Sequence, residues 1–364
     1  MINEDIVSEI YESAAFPPLW SSVLQRLMAL CGASAGALHT VNGAGIAHHV
    51  TAGASEAIYA SPGARGLIRR SALVERALAR APMSFAGDLE LSSEAELRDD
   101  ELYSRYLRPL GFHFAVGTVI PVPTGDLLVM GFLRGAGAPF ERRAVTTLNG
   151  YRRHIARAAL VAHRLGLRAA RTQAEALATI GIPGAVIDGT GRVLAANQAF
   201  EQLAPRVRFG AADQLALATR EADQMLHAAL AGAAAGVVAD EVHSIPLAAL
   251  DAAPPLVLHV VPVRGVANDI FRRAVALVVV TAVTMPRAPL REVLFGLFDL
   301  TPAEARVAAA LVRGGSVESA AADIGVSIET VRTQLKSVMA KTGTNRQTEL
   351  VLLLSGAQLP ERGG

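Results

Sequence analysis

Three residues near the C-terminus have a spacing that fits one local backbone geometry. Ala321 and Gly325 are four residues apart, and Val331 follows six residues later. A tight corner between two helices needs a small residue where the helices press together, a glycine where φ is positive, and a branched residue that packs the second helix in place. All three requirements are met in register. The spacing therefore predicts two helices joined by a tight turn.

Helix start and stop signals surround this corner. Thr301-Pro302-Ala303-Glu304 combines a capping hydroxyl, a proline at the first helical position and a glutamate at the third. Gly314-Gly315 stops that helix, and Ser316 can cap the next one. Ser327 can cap a longer helix that runs from about Ile328 to Lys341. With one more helix after it, the sequence predicts an all-α unit of four short helices.

The helix that begins after Ser327 has two different faces. At 100° per residue, one face is apolar and would pack on the core; it carries Val331, Leu335, Val338 and Met339. The opposite face carries Thr330, Thr333, Lys336, Ser337 and Ala340, with Arg332 at its edge. Apart from its cations this face has only short side chains. A helix of this kind can enter the major groove of DNA.

Positive charge is concentrated on the same stretch. Between Thr330 and Arg346 there are four bases and no acid, and the bases are Arg332, Lys336, Lys341 and Arg346. The whole chain has a formal net charge of only +1. Local rather than overall charge therefore indicates nucleic-acid binding.

The segment from Leu300-Thr301-Pro302 through Ser327 to Arg346 resembles a LuxR-type (GerE-like) DNA-binding domain, which we place at residues 300–358. The resemblance implies that Arg332, Thr333 and Lys336 meet bases or nearby phosphates. It implies that Thr330, Lys341 and Arg346 either contact the DNA backbone or support the residues that do. Ser337 completes the predicted contact set. Ala303, Arg306 and Gln334 depart from residues common in the family, which affects the details of contact rather than the fold. Double-stranded DNA, RNA polymerase and a second copy of the chain are the partners it implies.

Residues 1–141 are predicted to form an α+β sensor domain. A helix from Phe16 to Leu30 is stopped by Gly32, and a strand follows. The remaining predicted elements are the strand 35–41, helices over 67–79 and 94–107, and strands over 115–121 and 127–133 connected by Pro123-Thr124-Gly125-Asp126. This order resembles a GAF domain.

Residues 142–178 are predicted to form a connecting helix. Its apolar seam alternates steps of three and four and consists of Leu148, Tyr151, Ile155, Ala158, Ala162, Leu165 and Ala169. Two interpretations fit this seam: a two-chain coiled coil, or a single helix that packs on its own domain. Gly150 and Gly166 weaken the coiled coil.

Residues 179–284 resemble a PAS domain. Ala185-Val186-Ile187 and Val193-Leu194-Ala195 read as strands around the turn Asp188-Gly189-Thr190-Gly191, and Asn197 can cap a following helix. Two long strands are predicted over 256–263 and 274–283. Because two prolines follow in Met285-Pro286-Arg287-Ala288-Pro289, residues 285–299 are predicted to be a linker.

Composition restricts the class of protein further. Hydrophobic residues make up 51% of the 364 residues and charged residues 18%, which is enough for several packed cores. One cysteine, Cys31, excludes an internal disulfide. The acidic start and the shortness of the apolar run 274–283 predict a cytoplasmic protein without a membrane span. The large share of alanine and glycine, with only 5% aromatic residues, indicates a bacterial source. No phosphate loop, nucleotide-binding glycine motif, zinc motif or nucleophile elbow is present, so we predict no enzyme, no catalytic or metal-binding residues and no cofactor.

The sequence therefore predicts a sequence-specific transcription regulator whose sensory half responds to a small ligand or partner. An alternative is a dimeric small-molecule sensor whose last helices serve dimerisation or protein contacts rather than DNA. A phosphorylated response regulator is disfavoured because Asp99-Asp100 lies within a predicted helix rather than after a strand. An acyl-lactone receptor is disfavoured by the single Trp20 and the few aromatics, and a sigma-like factor by the lack of an upstream basic region.

Overall fold

Two antiparallel sheets and one long helix dominate the structure. The computed structural model describes residues 2–42, 45–70, 72–80, 84–122, 125–235, 241–251, 253–263, 274–283 and 291–355. Each of the two large sheets has five strands, and a third sheet has two. The predicted mixed α+β architecture with a long helix is thereby confirmed. Separate hydrophobic cores form in an N-terminal, a middle and a C-terminal region.

The N-terminal region is built on the first five-stranded sheet. Its elements are α1 (Glu4–Ala15), α2 (Trp20–Cys31), β1 (Ala35–Asn42), β2 (Gly45–Gly53), α3 (Glu56–Ala60), α4 (Pro62–Arg70), α5 (Ala72–Arg80), β3 (Ala86–Gly87), α6 (Asp88–Leu91), α7 (Glu94–Asp99), β4 (Phe114–Pro121) and β5 (Leu127–Arg134). The strand order is β2-β1-β5-β4-β3. Helix α1 has no counterpart among the predicted elements. Pro123 and Thr124, half of the predicted connection between β4 and β5, lie outside the described residues.

The sheet of the N-terminal region separates two cores, because successive side chains of a strand point to opposite faces. On β1, Leu38 packs in a core with Trp20 and other residues of α1 and α2. Its neighbour Ala37 packs in the other core with Ile58 and Tyr103. The short helices α3 to α7 therefore lie over one face of the sheet, and α1 and α2 cover the other.

Helix α8 (Arg142–Thr179) follows, and it packs in the N-terminal core and also contacts two strands of the middle region. The first five positions of the predicted seam are buried in the N-terminal core: Leu148, Tyr151, Ile155, Ala158 and Ala162. Over this stretch of about four turns the seam packs on its own domain, because α1 and α2 already occupy the place of a second helix. The last two seam residues, Leu165 and Ala169, are exposed.

Arg152 connects α8 to the sheet. Its Nε donates a hydrogen bond to Thr118 Oγ1 at 2.8 Å, and its Nη2 donates one to the carbonyl of Val119 at 2.9 Å. Burial lowers the pKa of this guanidinium, which is still charged at any physiological pH. The start of α8 is thus fixed to β4 by a charged group as well as by apolar packing.

The middle region is built on the second five-stranded sheet. Its elements are β6 (Gly184–Asp188), β7 (Val193–Ala196), α9 (Gln198–Glu201), β8 (Val207–Phe209), β9 (Leu215–Leu217), α10 (Arg220–Ala235), β10 (His243–Leu247), β11 (Leu256–Pro262) and β12 (Ala274–Ala282). The strand order is β10-β11-β12-β6-β7, and β8 pairs with β9. Helix α10 packs on the sheet through Leu226 and Leu230.

Asn197 organises the start of this region. As predicted from its position, its side chain caps α9 by accepting a hydrogen bond from the Phe200 N–H at 3.0 Å. Its amide also donates to the carbonyl of Ala174 on α8 at 3.1 Å and to that of Ile182 at 2.9 Å. Asn197 thereby ties the second sheet to the end of α8.

The C-terminal region consists of helices alone: α11 (Arg291–Phe298), α12 (Pro302–Val312), α13 (Val317–Ile324), α14 (Ile328–Thr342) and α15 (Gln347–Ser355). The linker predicted over 285–299 requires correction, because residues 291–298 form a helix and Leu294 is fully buried in the C-terminal core. The prolines that motivated the linker lie at 286 and 289, before this helix. Residues 285–290 and 356–358 lie outside the described residues.

The described residues contain neither a membrane-spanning helix nor a cluster of metal-ligating side chains. None of their helices combines the length and the apolar character needed to cross a bilayer. They also contain no group of three or more histidine, cysteine, aspartate or glutamate side chains able to hold a metal ion.

Candidate nucleic-acid interface

The corner between α13 and α14 has the backbone that the spacing predicts. Gly325 follows α13 with φ 75° and ψ 38°, the left-handed conformation that favours glycine. Its N–H and that of Val326 both donate to the carbonyl of Ala321, at 3.0 and 3.1 Å. Ala321 and Val331 are buried in the C-terminal core, one on each helix. The chain therefore turns sharply between the two helices, and both helices remain packed.

Side-chain caps set where the helices of this region begin. Thr301 and Glu304 form a capping box at α12: the Glu304 N–H donates to Thr301 Oγ1 at 3.3 Å, and the Thr301 N–H donates to Glu304 Oε2 at 2.7 Å. Ser316 caps α13, and Ser327 accepts from the Thr330 N–H at 3.1 Å to cap α14. The start of α14 is therefore fixed by a residue next to the corner.

Burial divides α14 into the two faces that the wheel predicts. Val331, Leu335 and Val338 are buried in the core, and Met339 packs against it. The opposite side is open to solvent. The exposed residues there are Thr330, Arg332, Thr333, Lys336 and Ala340, while Ser337 is half-buried.

Arg332 and Thr333 are held by the first turn of their own helix. The Arg332 guanidinium pairs with the Glu329 carboxylate at 2.9 Å, and the two side chains are 59% and 79% exposed. Thr333 Oγ1 donates to the Glu329 carbonyl at 2.9 Å. An exposed ion pair of this kind contributes roughly 0–1 kcal/mol. Arg332 can therefore exchange Glu329 for a phosphate or a base at little cost.

Lys336 and Arg346 are the two cations of this surface whose side chains are not engaged by an acid among the described residues of the domain. Both residues are exposed, and within the described part of the chain neither side chain pairs with an acid. Lys336 lies on the outer face of α14, and Arg346 directly precedes α15. Among the four cations predicted from the sequence, these two keep their full charge available to a partner.

Ser337 and Lys341 are bound inside the domain. Ser337 Oγ donates to Glu304 Oε1 at 2.6 Å. Lys341 Nζ donates to Glu304 Oε2 at 2.7 Å and to the carbonyl of Asp299 at 2.9 Å. Both side chains thus join α14 to the start of α12 through Glu304, which agrees with the supporting role that the resemblance allows for Lys341. Their contact with DNA stays a prediction.

Glu304 has two roles in the structure, and the sequence predicts only the first of them. Its capping role is visible in the Thr301–Glu304 motif, but its pairing with residues of α14 depends on the tertiary fold. Lys341 first, and then Ser337 and the Thr301 N–H, lower the pKa of this carboxyl to about 2. The carboxylate is therefore charged at neutral pH and neutralises Lys341. The predicted charge excess of the α14 surface is reduced to Arg332, Lys336 and Arg346.

Comparison with known proteins gives distant matches only. No family model and no curated protein matches this chain. The Escherichia coli protein SdiA aligns over 93% of this chain and 90% of its own, at 10% identity and a TM-score of 0.31. A phage VqmA–DPO complex covers 50% of this chain and 88% of its own, at 17% identity and a TM-score of 0.23. VqmA from Vibrio cholerae, a dimeric LuxR-type receptor with a target DNA, covers 50% of this chain and 85% of its own, at 16% identity and a TM-score of 0.18. Alignments with TM-scores this low do not establish a shared fold.

Gly325→Ala tests the corner. No heavy atom lies within 4 Å of a Cβ added there, so the cost arises from the positive φ alone, about 1 kcal/mol of unfolding free energy. Gly296→Ala is the matched control, because Gly296 is helical, also has open space at its Cβ position, and should stabilise α11 by about 1 kcal/mol. Hydrogen exchange over residues 291–355 measures both changes. Equal effects of the two variants would contradict the assigned conformation.

Proposed function

We propose that this chain is a cytoplasmic, sequence-specific transcription regulator that binds DNA through a LuxR-type helix-turn-helix at residues 300–358. The observation that carries the proposal is the outer face of α14: short side chains and the cations Arg332 and Lys336, on a helix whose other face is locked into a core. This surface is defined by Thr330, Arg332, Thr333, Lys336 and Ala340 and is called the α14 face below.

The dimensions of the α14 face support a major-groove contact. A helix with its side chains is about 10–12 Å wide, and the major groove of B-DNA is about 12 Å wide. Threonine and alanine side chains let the backbone approach the base edges, whereas long side chains would hold it away. Arg332 and Lys336 then reach base edges or phosphates beside the groove. The rigid corner at Gly325 sets the angle at which the helix enters.

The upstream regions complete the proposal. Residues 1–141 and 179–284 are proposed as GAF-like and PAS-like sensors that respond to a small ligand or partner, and the chain acts by binding rather than by catalysis. A homodimer would place two α14 faces on half-sites about 34 Å apart. Helix α15 supports such pairing, because Leu352 is 74% exposed and Leu353 is 41% exposed beside it. RNA polymerase is the proposed downstream partner.

Selection from a random duplex library tests sequence-specific binding by the full-length chain. We expect enrichment of an inverted repeat, and an affinity for it that falls steeply with salt, with a log–log slope of roughly −4 to −6 for two or three phosphates per protomer. Fluorescence anisotropy in a salt series measures this slope. Absence of both enrichment and low-salt binding would contradict the proposal.

The exposed leucines of α15 also favour a second candidate function, in which the last helices serve only to join two chains. Sedimentation velocity separates this function from the first. A protein that dimerises through Leu352 but shows no affinity for any duplex would support the second candidate, and Leu352→Lys should then abolish the dimer.

A further inference from the structure

We infer that the N-terminal region binds a compact, mostly apolar molecule carrying one hydrogen-bond donor, in a cavity between the first sheet and helices α3 to α7. The inference rests on the proposed regulator function only in treating this molecule as the effector. The site itself is argued from the cavity.

The cavity lies on the face of the sheet that the short helices cover. Its volume is about 160 Å³, and apolar side chains make up most of its wall. From the helical side the wall includes Ile58, Ile68, Leu73 and Leu102. Protein interiors are normally packed without voids of this size, which makes this space a feature that requires an explanation.

Small residues of the sheet account for the space. Ala37 on β1, Ala115 and Gly117 on β4, and Gly131 on β5 all line the cavity. Gly117 and Gly131 are paired directly across β4 and β5, and Gly131 also pairs with Ala37. A Cβ added to Gly131 would meet no atom within 4 Å. The middle of the sheet thus presents almost no side chain to the helices above it.

Asp88 supplies a polar group in this apolar wall. The residue is 4% exposed and lines the cavity. Its Oδ2 accepts hydrogen bonds from Tyr103 Oη and from the Ala115 N–H, both at 2.8 Å, and its Oδ1 accepts one from the Leu89 N–H at 2.9 Å. An ionised carboxylate has about four acceptor positions, so capacity remains for one further donor. Burial raises the pKa of Asp88, and these hydrogen bonds oppose that effect.

A second polar group lies further along the same face. His39 does not itself line the cavity, but it pairs across the sheet with Val129, which does. Its Nδ1 is hydrogen-bonded to Tyr59 Oη at 2.8 Å. Its Nε2 is buried and has no hydrogen-bond partner among the described residues. Burial lowers the pKa of His39 to about 3, so the ring is neutral at physiological pH. An unpaired buried nitrogen beside the cavity is consistent with a site that a ligand completes.

Volume and polarity define the class of ligand. An apolar cavity of about 150 Å³ holds one benzene ring. A single ring or a short branched chain therefore fits. One O–H or N–H on that ring can donate to Asp88. We assign the site to molecules of the phenol class, with an apolar body and one donor.

The test uses two probes of nearly equal shape, 4-fluorophenol and 4-fluorotoluene, which differ in the donor. Fluorine NMR of the probes with the full-length protein measures affinity without DNA. We expect 4-fluorophenol to bind about tenfold more tightly than 4-fluorotoluene, because a hydrogen bond to a carboxylate is among the stronger ones. Asp88→Asn should remove this preference, so that the two probes bind to the variant with affinities within about twofold of each other.

Gly131→Leu tests the location independently of Asp88. The leucine side chain would occupy the cavity, and we expect at least about tenfold weaker binding of both probes with unchanged circular dichroism. Gly232→Leu is the matched control, because Gly232 also has open space at its Cβ position but lies on α10 in the middle region. Failure of the wild-type protein to bind either probe, or equal binding by wild type and Gly131→Leu, would overturn the inference. Since DNA is absent, such a result would leave the proposed DNA-binding function standing.

Discussion

Replacing Arg332 and Lys336 together by glutamate is expected to weaken binding to the selected duplex by about 1000-fold at moderate salt. Each residue contributes an exposed cation to the α14 face, and losing a base or phosphate contact costs roughly 1–3 kcal/mol per residue. Reversal of the charge adds repulsion from the phosphates. The salt slope should also become shallower by about two for each protomer, because fewer counterions are released.

Arg164→Glu with Arg168→Glu is the matched control for this charge reversal. Both arginines are exposed on α8, and the net charge of the chain changes by the same amount. We expect an affinity for the duplex within about threefold of the wild type. Sedimentation velocity should show an unchanged oligomeric state for both double variants. An equal loss of DNA affinity in both would mean that net charge, rather than the α14 face, determines binding.

Glu304→Gln is expected to destabilise the C-terminal region by about 2–3 kcal/mol. The glutamine has one acceptor oxygen where the carboxylate has two, so it can keep the bond from the Thr301 N–H or the one from Ser337 but not both, and it leaves Lys341 without its anion. Losing one partner of a well-shielded, hydrogen-bonded ion pair is more costly than losing an exposed pair. The Glu304 side chain is only 9% exposed. Hydrogen exchange over residues 291–355 measures the change, and Glu329→Gln, in an exposed pair, should have an effect below about 1 kcal/mol.

Acid should reproduce the effect of this substitution in the wild-type protein. The folded pKa of Glu304 is lowered from 4.5 to about 2. A carboxyl whose folded pKa is depressed contributes stability that is complete above pH 4.5 and is lost as pH falls toward 2. The wild type should therefore lose stability relative to Glu304→Gln across that range. Parallel stability curves for the two proteins below pH 4.5 would contradict the role of the Lys341–Glu304 pair.

The corner at Gly325 could be predicted from the sequence because its causes are local. The left-handed glycine, the cap at Ser327 and the packing of Ala321 and Val331 all depend on residues within eleven positions of one another. The same holds for the capping box at Thr301 and for the cap at Asn197. Signals that act within a few turns of chain can be read without a structure.

Features that depend on distant parts of the chain could not be predicted. Glu304 and Lys341 are 37 positions apart, so the neutralisation of that lysine appears only when α12 and α14 are packed. The helix α11 was missed because two prolines precede it, while the burial of Leu294 depends on α12. The cavity is formed by small residues on three strands, each of which is unremarkable in its own segment.

Because α8 packs in the N-terminal core and also contacts β6 and β7 of the middle region, it determines where the chain can be cut into folded pieces. A fragment ending at residue 141 would lack Leu148, Tyr151 and Ile155. The apolar residues of α1 and α2 that share a core with them would then be exposed to water. A fragment starting after Ala174 would deprive Asn197 of one of its carbonyl acceptors. With 38 residues, α8 is about 57 Å long. A cut within the exposed stretch around Leu165 leaves the buried residues of α8 on both sides intact, so separation of the N-terminal and middle regions should begin there.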